Sequence, residues 1–142
     1  EQLKSMLDRD DCPHTFMFTG NRGCGKTTLA RICASMLDCR EEEIIEMDIA
    51  TKGGVEVARE LKSTLLFKPL FGKNKVYILD ECHMGTQAFF NGLLKSLEEP
   101  PDHVYFFLCT TDPQKVLKTV KKRVAVILSE MNLLQYSTKT IR

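Results

Sequence analysis

The sequence predicts a doubly wound α/β fold: five parallel strands in one sheet, flanked by helices. Three observations lead there. Short apolar runs alternate with segments of helical spacing along the chain. The run "KVYILDE" (75–81) is apolar on both faces, as a central parallel strand must be. Polar residues with chemical promise fall at the carboxyl ends of the runs, where such sheets bind ligands.

The elements follow in order. "TFMFTG" (15–20) is apolar and ends in Gly, which reads as a buried strand. Residues 25–37 place Leu29, Ile32, Cys33 and Met36 at helical spacing. "IIEMD" (44–48) is a second strand, and residues 54–66 put Val57, Ala58, Leu61 and Leu65 on one helical face. After the third strand, 75–81, residues 86–98 align Phe90, Leu93, Leu94 and Leu97. That helix is stopped by Pro100 and Pro101. "VYFFLCTT" (104–111) is a fourth strand, "PQKVLKTV" (113–120) a short helix or two turns, and "VAVIL" (124–128) a fifth strand.

A chain of 142 residues with 43% hydrophobic content fits one domain with a real core. The formal net charge of +1 excludes a strongly basic nucleic-acid-binding domain, so any DNA contact is local or shared among subunits. No apolar run approaches the length of a membrane span. The charged start "EQLKSMLDRD" is no signal peptide, and an initial Glu suggests a chain that begins within a longer product or was processed. Six cysteines, at 12, 24, 33, 39, 82 and 109, form no CxxC pair. They read as reduced thiols of an intracellular, cytoplasmic protein rather than as zinc ligands.

"GNRGCGKT" (20–27) has the pattern G-x-x-x-x-G-K-[ST] between a strand and a helix. Gly20, Gly23 and Gly25 allow the loop Gly20, Asn21, Arg22, Gly23, Cys24, Gly25 to turn backbone N–H groups onto phosphate oxygens. The helix that follows, with Lys26, Thr27 and Thr28 in its first turn, adds its positive end. Lys26 is expected to reach the β- and γ-phosphates and Thr27 to ligate Mg²⁺.

"VYILDECH" (76–83) supplies the complement. Asp80 ends a strand read as the neighbour of the phosphate-loop strand, where it can hold Mg²⁺ through water. Glu81 can polarise the water that attacks the γ-phosphate. His83 could contact phosphate or metal, or simply begin a loop or helix. Thr110 and Thr111 end the fourth strand. A hydroxyl there can sense the γ-phosphate, although β-favoured residues also finish strands for no chemical reason. Cys24 stands at a position open to any residue. The basic run "KTVKKRVAV" (118–126) could be a solvated face, a DNA contact, or an arginine aimed at a neighbouring subunit's nucleotide.

The segments "LLKSLEEPP" and "TTDPQK", with "VYILDECHM" and the phosphate loop at compatible spacing, resemble the γ/τ-type clamp-loader ATPases of bacterial DNA polymerase III, members of the AAA+ family. The resemblance runs from about Thr15 to Leu128 and extends more distantly to replication factor C small subunits. It implies a P-loop AAA+ core using ATP and Mg²⁺. Lys26 and Thr27 match the Walker A lysine and hydroxyl, and Asp80 and Glu81 match the Walker B pair. Thr111 falls at the sensor 1 position, with Thr110 beside it. Arg123 falls on the arginine of the family's Ser-Arg-Cys motif, which acts in trans.

Three departures accompany the match. Lys122 and Val124 replace the Ser and Cys of that motif, which leaves Lys122 as an alternative to Arg123. The family's four-cysteine zinc module is absent from 37–44, the mark of a divergent or phage-encoded member. The helical lid and collar are expected beyond Arg142, so residues 1–142 read as an AAA+ nucleotide-binding domain whose isolated binding is weak. The implied partners are other clamp-loader subunits in a ring, a sliding clamp and primer–template DNA, with no membrane. Two other readings remain: a non-hydrolysing structural subunit, and another AAA+ DNA motor such as one for branch migration.

Overall fold

In the computed structural model, which describes residues 14–20 and 25–119, the apolar runs become four parallel strands. They are β1 (Thr15–Thr19), β2 (Ile44–Asp48), β3 (Lys75–Asp80) and β4 (Val104–Thr110), in sheet order β1-β4-β3-β2. The helices between and after them are α1 (Lys26–Met36), α2 (Val55–Leu65), α3 (Gln87–Glu98) and α4 (Pro113–Thr119). The fifth expected strand, 124–128, lies outside the described residues, as does the basic run from residue 120 onward.

Each expected boundary moves by a residue or less. Glu81 and Thr111, expected as final strand residues, each lie one position past their strand. Strand order, however, differs from the sequence expectation. The phosphate-loop strand β1 and the Asp80 strand β3 are not neighbours, because β4 pairs with both. Hydrophobic periodicity carries no information about which strand inserts between two others.

Crossover handedness explains the layers. From β1 the chain crosses the whole sheet to β2, then returns through β3 to β4. Right-handed crossovers taken in opposite directions put their helices on opposite faces. α1 therefore covers one face, and α2 and α3 cover the other.

Strand alternation feeds both faces. Phe16, Phe18, Val76, Ile78, Phe107 and Cys109 pack against Leu29, Ala30, Cys33 and Ala34 of α1. Phe107 anchors this layer with edge-on contacts to Phe16 and Phe18, ring centroids 5.5 and 5.3 Å apart. On the other face Met17, Tyr77, Leu79, Phe106 and Leu108 meet α2, α3 and Val116 of α4. α2 and α3 run close enough that a Cβ on Gly92 would lie 3.0 Å from the Ala58 Cβ.

The buried stripe of α1 is Leu29, Ala30, Cys33 and Ala34, whereas Ile32 and Met36, read from the sequence as inward, are exposed. Two alanines facing the sheet let the helix axis approach closely, and the stripe turns to use them. α2 is held at its far end. The Lys75 ammonium, on a side chain left only 7% exposed, donates to the carbonyls of Thr64 and Phe67 at 2.7 and 3.3 Å. His103 Nε2 donates to the Leu65 carbonyl at 2.9 Å. These bonds satisfy carbonyls that a helix end leaves without partners. At the start of α3 the Thr86 hydroxyl accepts from the Phe89 N–H at 3.0 Å, an N-cap. β2, an edge strand among the described residues, is only partly covered, and its exposed Glu46 pairs with Arg31 of α1.

Cys33, Cys39, Cys82 and Cys109 are buried and lie outside any disulfide. Burial pushes the Cys33 thiol up to about 12, and Cys39 up to about 11. It raises Cys82 as well. A thiol that ionises in the unfolded chain but not in the folded one lowers stability as pH rises. The loss begins near the ordinary thiol value and stops at the folded one, at about 1.4 kcal/mol per pH unit for each thiol. Urea midpoints are therefore expected to be flat from pH 7 to ~8.5 and to fall between pH 9 and 11. The fall should be shallower in Cys33→Ala, measured relative to that variant's own midpoint at pH 7.

Candidate nucleotide-binding site

The carboxyl ends of β2 and β3 and the start of α1 open onto one cleft of about 630 Å³, lined by Gly25, Lys26, Thr27, Thr28, Asp48, Ala50, Asp80 and Glu81. α1 brings the first four there. Its N-cap, Gly25, has φ 88° and ψ 21°, a left-handed conformation that side-chain-bearing residues resist. No side chain caps this helix and its first turn carries no acidic residue. Its positive end therefore faces the cleft with no carboxylate of its own to offset it, a setting that favours an anion. Lys26 Nζ donates to the Gly20 carbonyl at 3.3 Å, which brings the lysine to the end of β1. Asn21, Arg22, Gly23 and Cys24 lie outside the described residues.

Asp80 faces α1 because it has the same strand parity as Ile78 and Val76, which pack beneath that helix. Its Oδ2 accepts from the Thr27 hydroxyl at 3.5 Å, and its Oδ1 accepts the Glu81 N–H at 2.9 Å. The insertion of β4 between β1 and β3 does not separate Thr27 from Asp80, since α1 packs across β1, β4 and β3 together. Among the described residues no group of three or more His, Cys, Asp or Glu could hold a metal ion by itself. One hydroxyl and one carboxylate nevertheless suit Mg²⁺, which keeps several waters and completes its shell with substrate phosphates. The residues present fit a nucleoside triphosphate with Mg²⁺, with Lys26 and the α1 end for the phosphates and Thr27 and Asp80 for the ion.

Glu81 leaves the strand abruptly, at φ 52° and ψ 40°. This left-handed turn directs its carboxylate to the cleft and starts the single helical turn Cys82–Met84. His83 on that turn contacts two groups. Its Nδ1 lies 2.8 Å from the Thr110 hydroxyl, and its Nε2 lies 3.5 Å from Glu81 Oε2. The sequence had left His83 between a phosphate or metal contact and a plain loop position, and here it stands behind Glu81. Of the threonine pair, Thr110 is buried and hydrogen-bonded, whereas Thr111 is exposed beyond the strand. Arg123 and Lys122 lie outside the described residues.

Sequence reasoning gave Asp48 no role, yet it lines the cleft, with its Oδ1 accepting the Ala50 N–H at 3.0 Å. The signal was available. "IIEMD" and "KVYILD" both end in Asp, and the two aspartates are register partners across β2 and β3.

A parallel sheet, a glycine-started helix carrying Lys and Thr, and an Asp at a strand end give an α/β fold that resembles those of P-loop proteins. Residues 50–131, more than half of the chain, match the family model described as DNA polymerase III, delta subunit, and the chain belongs to that family. Its relatives include the DNA polymerase III subunit gamma/tau of Mycobacterium bovis, 38% identical over 144 aligned residues, so the chain is of the gamma/tau type. That alignment covers 85% of this chain and 25% of the relative, so the chain spans about a quarter of the length of the curated protein it matches. A Thermotoga maritima protein related to the DNA polymerase III gamma subunit superposes with a TM-score of 0.72 at 23% identity, covering 86% of this chain and 42% of that one. The Thermotoga maritima RuvB Holliday junction branch migration motor superposes at 0.56 and 23% identity, covering 87% and 38%. At these identities both solved structures show a shared fold.

The left-handed backbone at Glu81 makes a stability prediction independent of catalysis. Glu81→Asn, which tolerates this conformation, should unfold at the same or higher urea concentration than the parent. Glu81→Val, whose β-branch opposes it, should lose about 1 kcal/mol or more.

Proposed function

We propose that this chain is the ATP-binding and hydrolysing domain of a DNA replication clamp loader. The carrying observation is the single cleft that holds Lys26, Thr27, Asp80 and Glu81 together in a chain of the DNA polymerase III family. In this reading Lys26 and the α1 N-terminus bind the triphosphate. Thr27 and Asp80 hold the Mg²⁺, which neutralises charge on the phosphate oxygens when bound. Glu81 takes the proton of the attacking water as the water oxygen bonds the γ-phosphorus and the bond from that phosphorus to the ADP oxygen breaks, giving ADP and phosphate. Thr111 serves as the hydroxyl that responds to the γ-phosphate. Its support is its place directly after Thr110, which ends β4. Arg123, with Lys122 as the alternative, completes a neighbouring subunit's site in trans.

ATP binding by a ring of such subunits then favours the arrangement that opens a sliding clamp around primer–template DNA, and hydrolysis releases it. The near-neutral charge suits DNA contacts divided among subunits.

The test uses the full-length chain with its clamp and primed DNA. ATP turnover is expected to rise when both are added. Glu81→Gln should lower turnover by about 10²-fold or more while nucleotide affinity stays within a factor of about two. Lys26→Ala should weaken nucleotide binding itself. Full turnover in Glu81→Gln would remove the base assignment. A parent chain that binds ATP and never hydrolyses it, with or without clamp and DNA, would favour the non-hydrolysing structural subunit.

A further inference from the structure

We propose that His83 is a positioning residue that holds the Glu81 carboxylate in the cleft, with its orientation set by Thr110. This rests on the reading of Glu81 as the base for ATP hydrolysis.

The chain of contacts is continuous. The Asp112 N–H donates to the Thr110 hydroxyl oxygen at 2.9 Å. That hydroxyl meets His83 Nδ1 at 2.8 Å, and His83 Nε2 faces Glu81 Oε2 at 3.5 Å. A ring proton on Nε2 points at the Glu81 carboxylate. In that tautomer Nδ1 is the acceptor, and the Thr110 hydroxyl, which also accepts from Asp112, donates its hydrogen to it. A lone pair on Nε2 would instead face a carboxylate, which is the unfavourable arrangement.

The surroundings supply rigidity. Thr110 is 1% exposed and ends β4, the strand between β1 and β3. His83 sits on the one-turn helix Cys82–Met84, pinned by the fully buried Cys82 and closed by Met84 N–H to Glu81 carbonyl and Gly85 N–H to Cys82 carbonyl bonds. Glu81 itself is a long side chain on a strained backbone, with several rotamers open to it. A donor fixed behind it selects among those rotamers. It also links the end of β4 to the hydrolytic carboxylate, so that a shift of Thr110 is felt at Glu81.

Three substitutions in the full-length chain test this. Glutamine has an oxygen to accept from Thr110 and an N–H to donate to Glu81, whereas methionine fills similar space with neither. Thr110→Val removes the hydroxyl while keeping the shape. His83→Met is expected to lower kcat about tenfold, the lower end of what losing a group that orients a functional ligand costs. ATP affinity and thermal midpoint should hold. His83→Gln should recover most of the rate, and Thr110→Val should lower kcat less than His83→Met does. In a Glu81→Gln background, His83→Met should cause no further loss.

A Glu81→Gln chain that is inactive beside a fully active His83→Met chain overturns the His83 assignment alone. Equal loss in His83→Gln and His83→Met, or loss that tracks a lowered melting point, also overturns it by assigning His83 to packing. A Glu81→Gln chain with normal turnover overturns the reading beneath it, and the positioning role with it.

Discussion

The site depends on one topological constraint, the rule that parallel crossovers are right-handed. Because the chain runs outward from β1 to the far edge and then works back, α1 is, among the described residues, the one long helix on its face of the sheet. It lies across three strands, and its first turn reaches the end of β3 from the end of β1. Thr27 meets Asp80 for that reason. Two helices on that face would compete for the same surface, and the hydroxyl and the carboxylate would belong to different regions.

The two layers are built differently, and the difference suits the site. Beneath α1 the contact surface is small on the helix side, with Ala30, Cys33 and Ala34, and large on the sheet side, with three phenylalanines. The helix therefore sits close, on a stiff bed of edge-on rings whose mutual geometry is itself favourable. On the opposite face, bulk comes from both sides, through Phe89, Phe90 and Leu93 against Tyr77, Phe106 and Leu108. Lys26 and Thr27 are carried by the closely seated helix. Glu81 and the histidine behind it hang from the turn that joins β3 to α3.

Most of the element pattern was legible because period-2 and period-3.6 spacing reports burial directly, and burial is what these strands and helices share. Where spacing and burial part, the reading slipped. Ile32 and Met36 looked inward because they are large and apolar, but the alanines beside them permit the closer approach. The pairing of Lys26, Thr27 and Asp80 could be anticipated from the chemistry of phosphates. The insertion of β4 could not, since strand order follows from crossover lengths and handedness. Asp48 escaped notice because one Asp at a strand end is common, and its alignment with Asp80 exists only once β2 and β3 are in register. The contact between His83 and Thr110 joins residues far apart in sequence and has no local signature.

The partly covered strand β2 has a consequence for assembly. An open strand edge is an invitation for another chain to hydrogen-bond along it, and crowded rings of identical or related chains would meet that hazard often. Here the edge presents Glu46 and Asp48, both exposed and both acidic, with Glu46 further engaged by Arg31. An incoming strand would have to cover two carboxylates, one of them lining the cleft. The acidic edge thus discourages growth of the sheet from chain to chain.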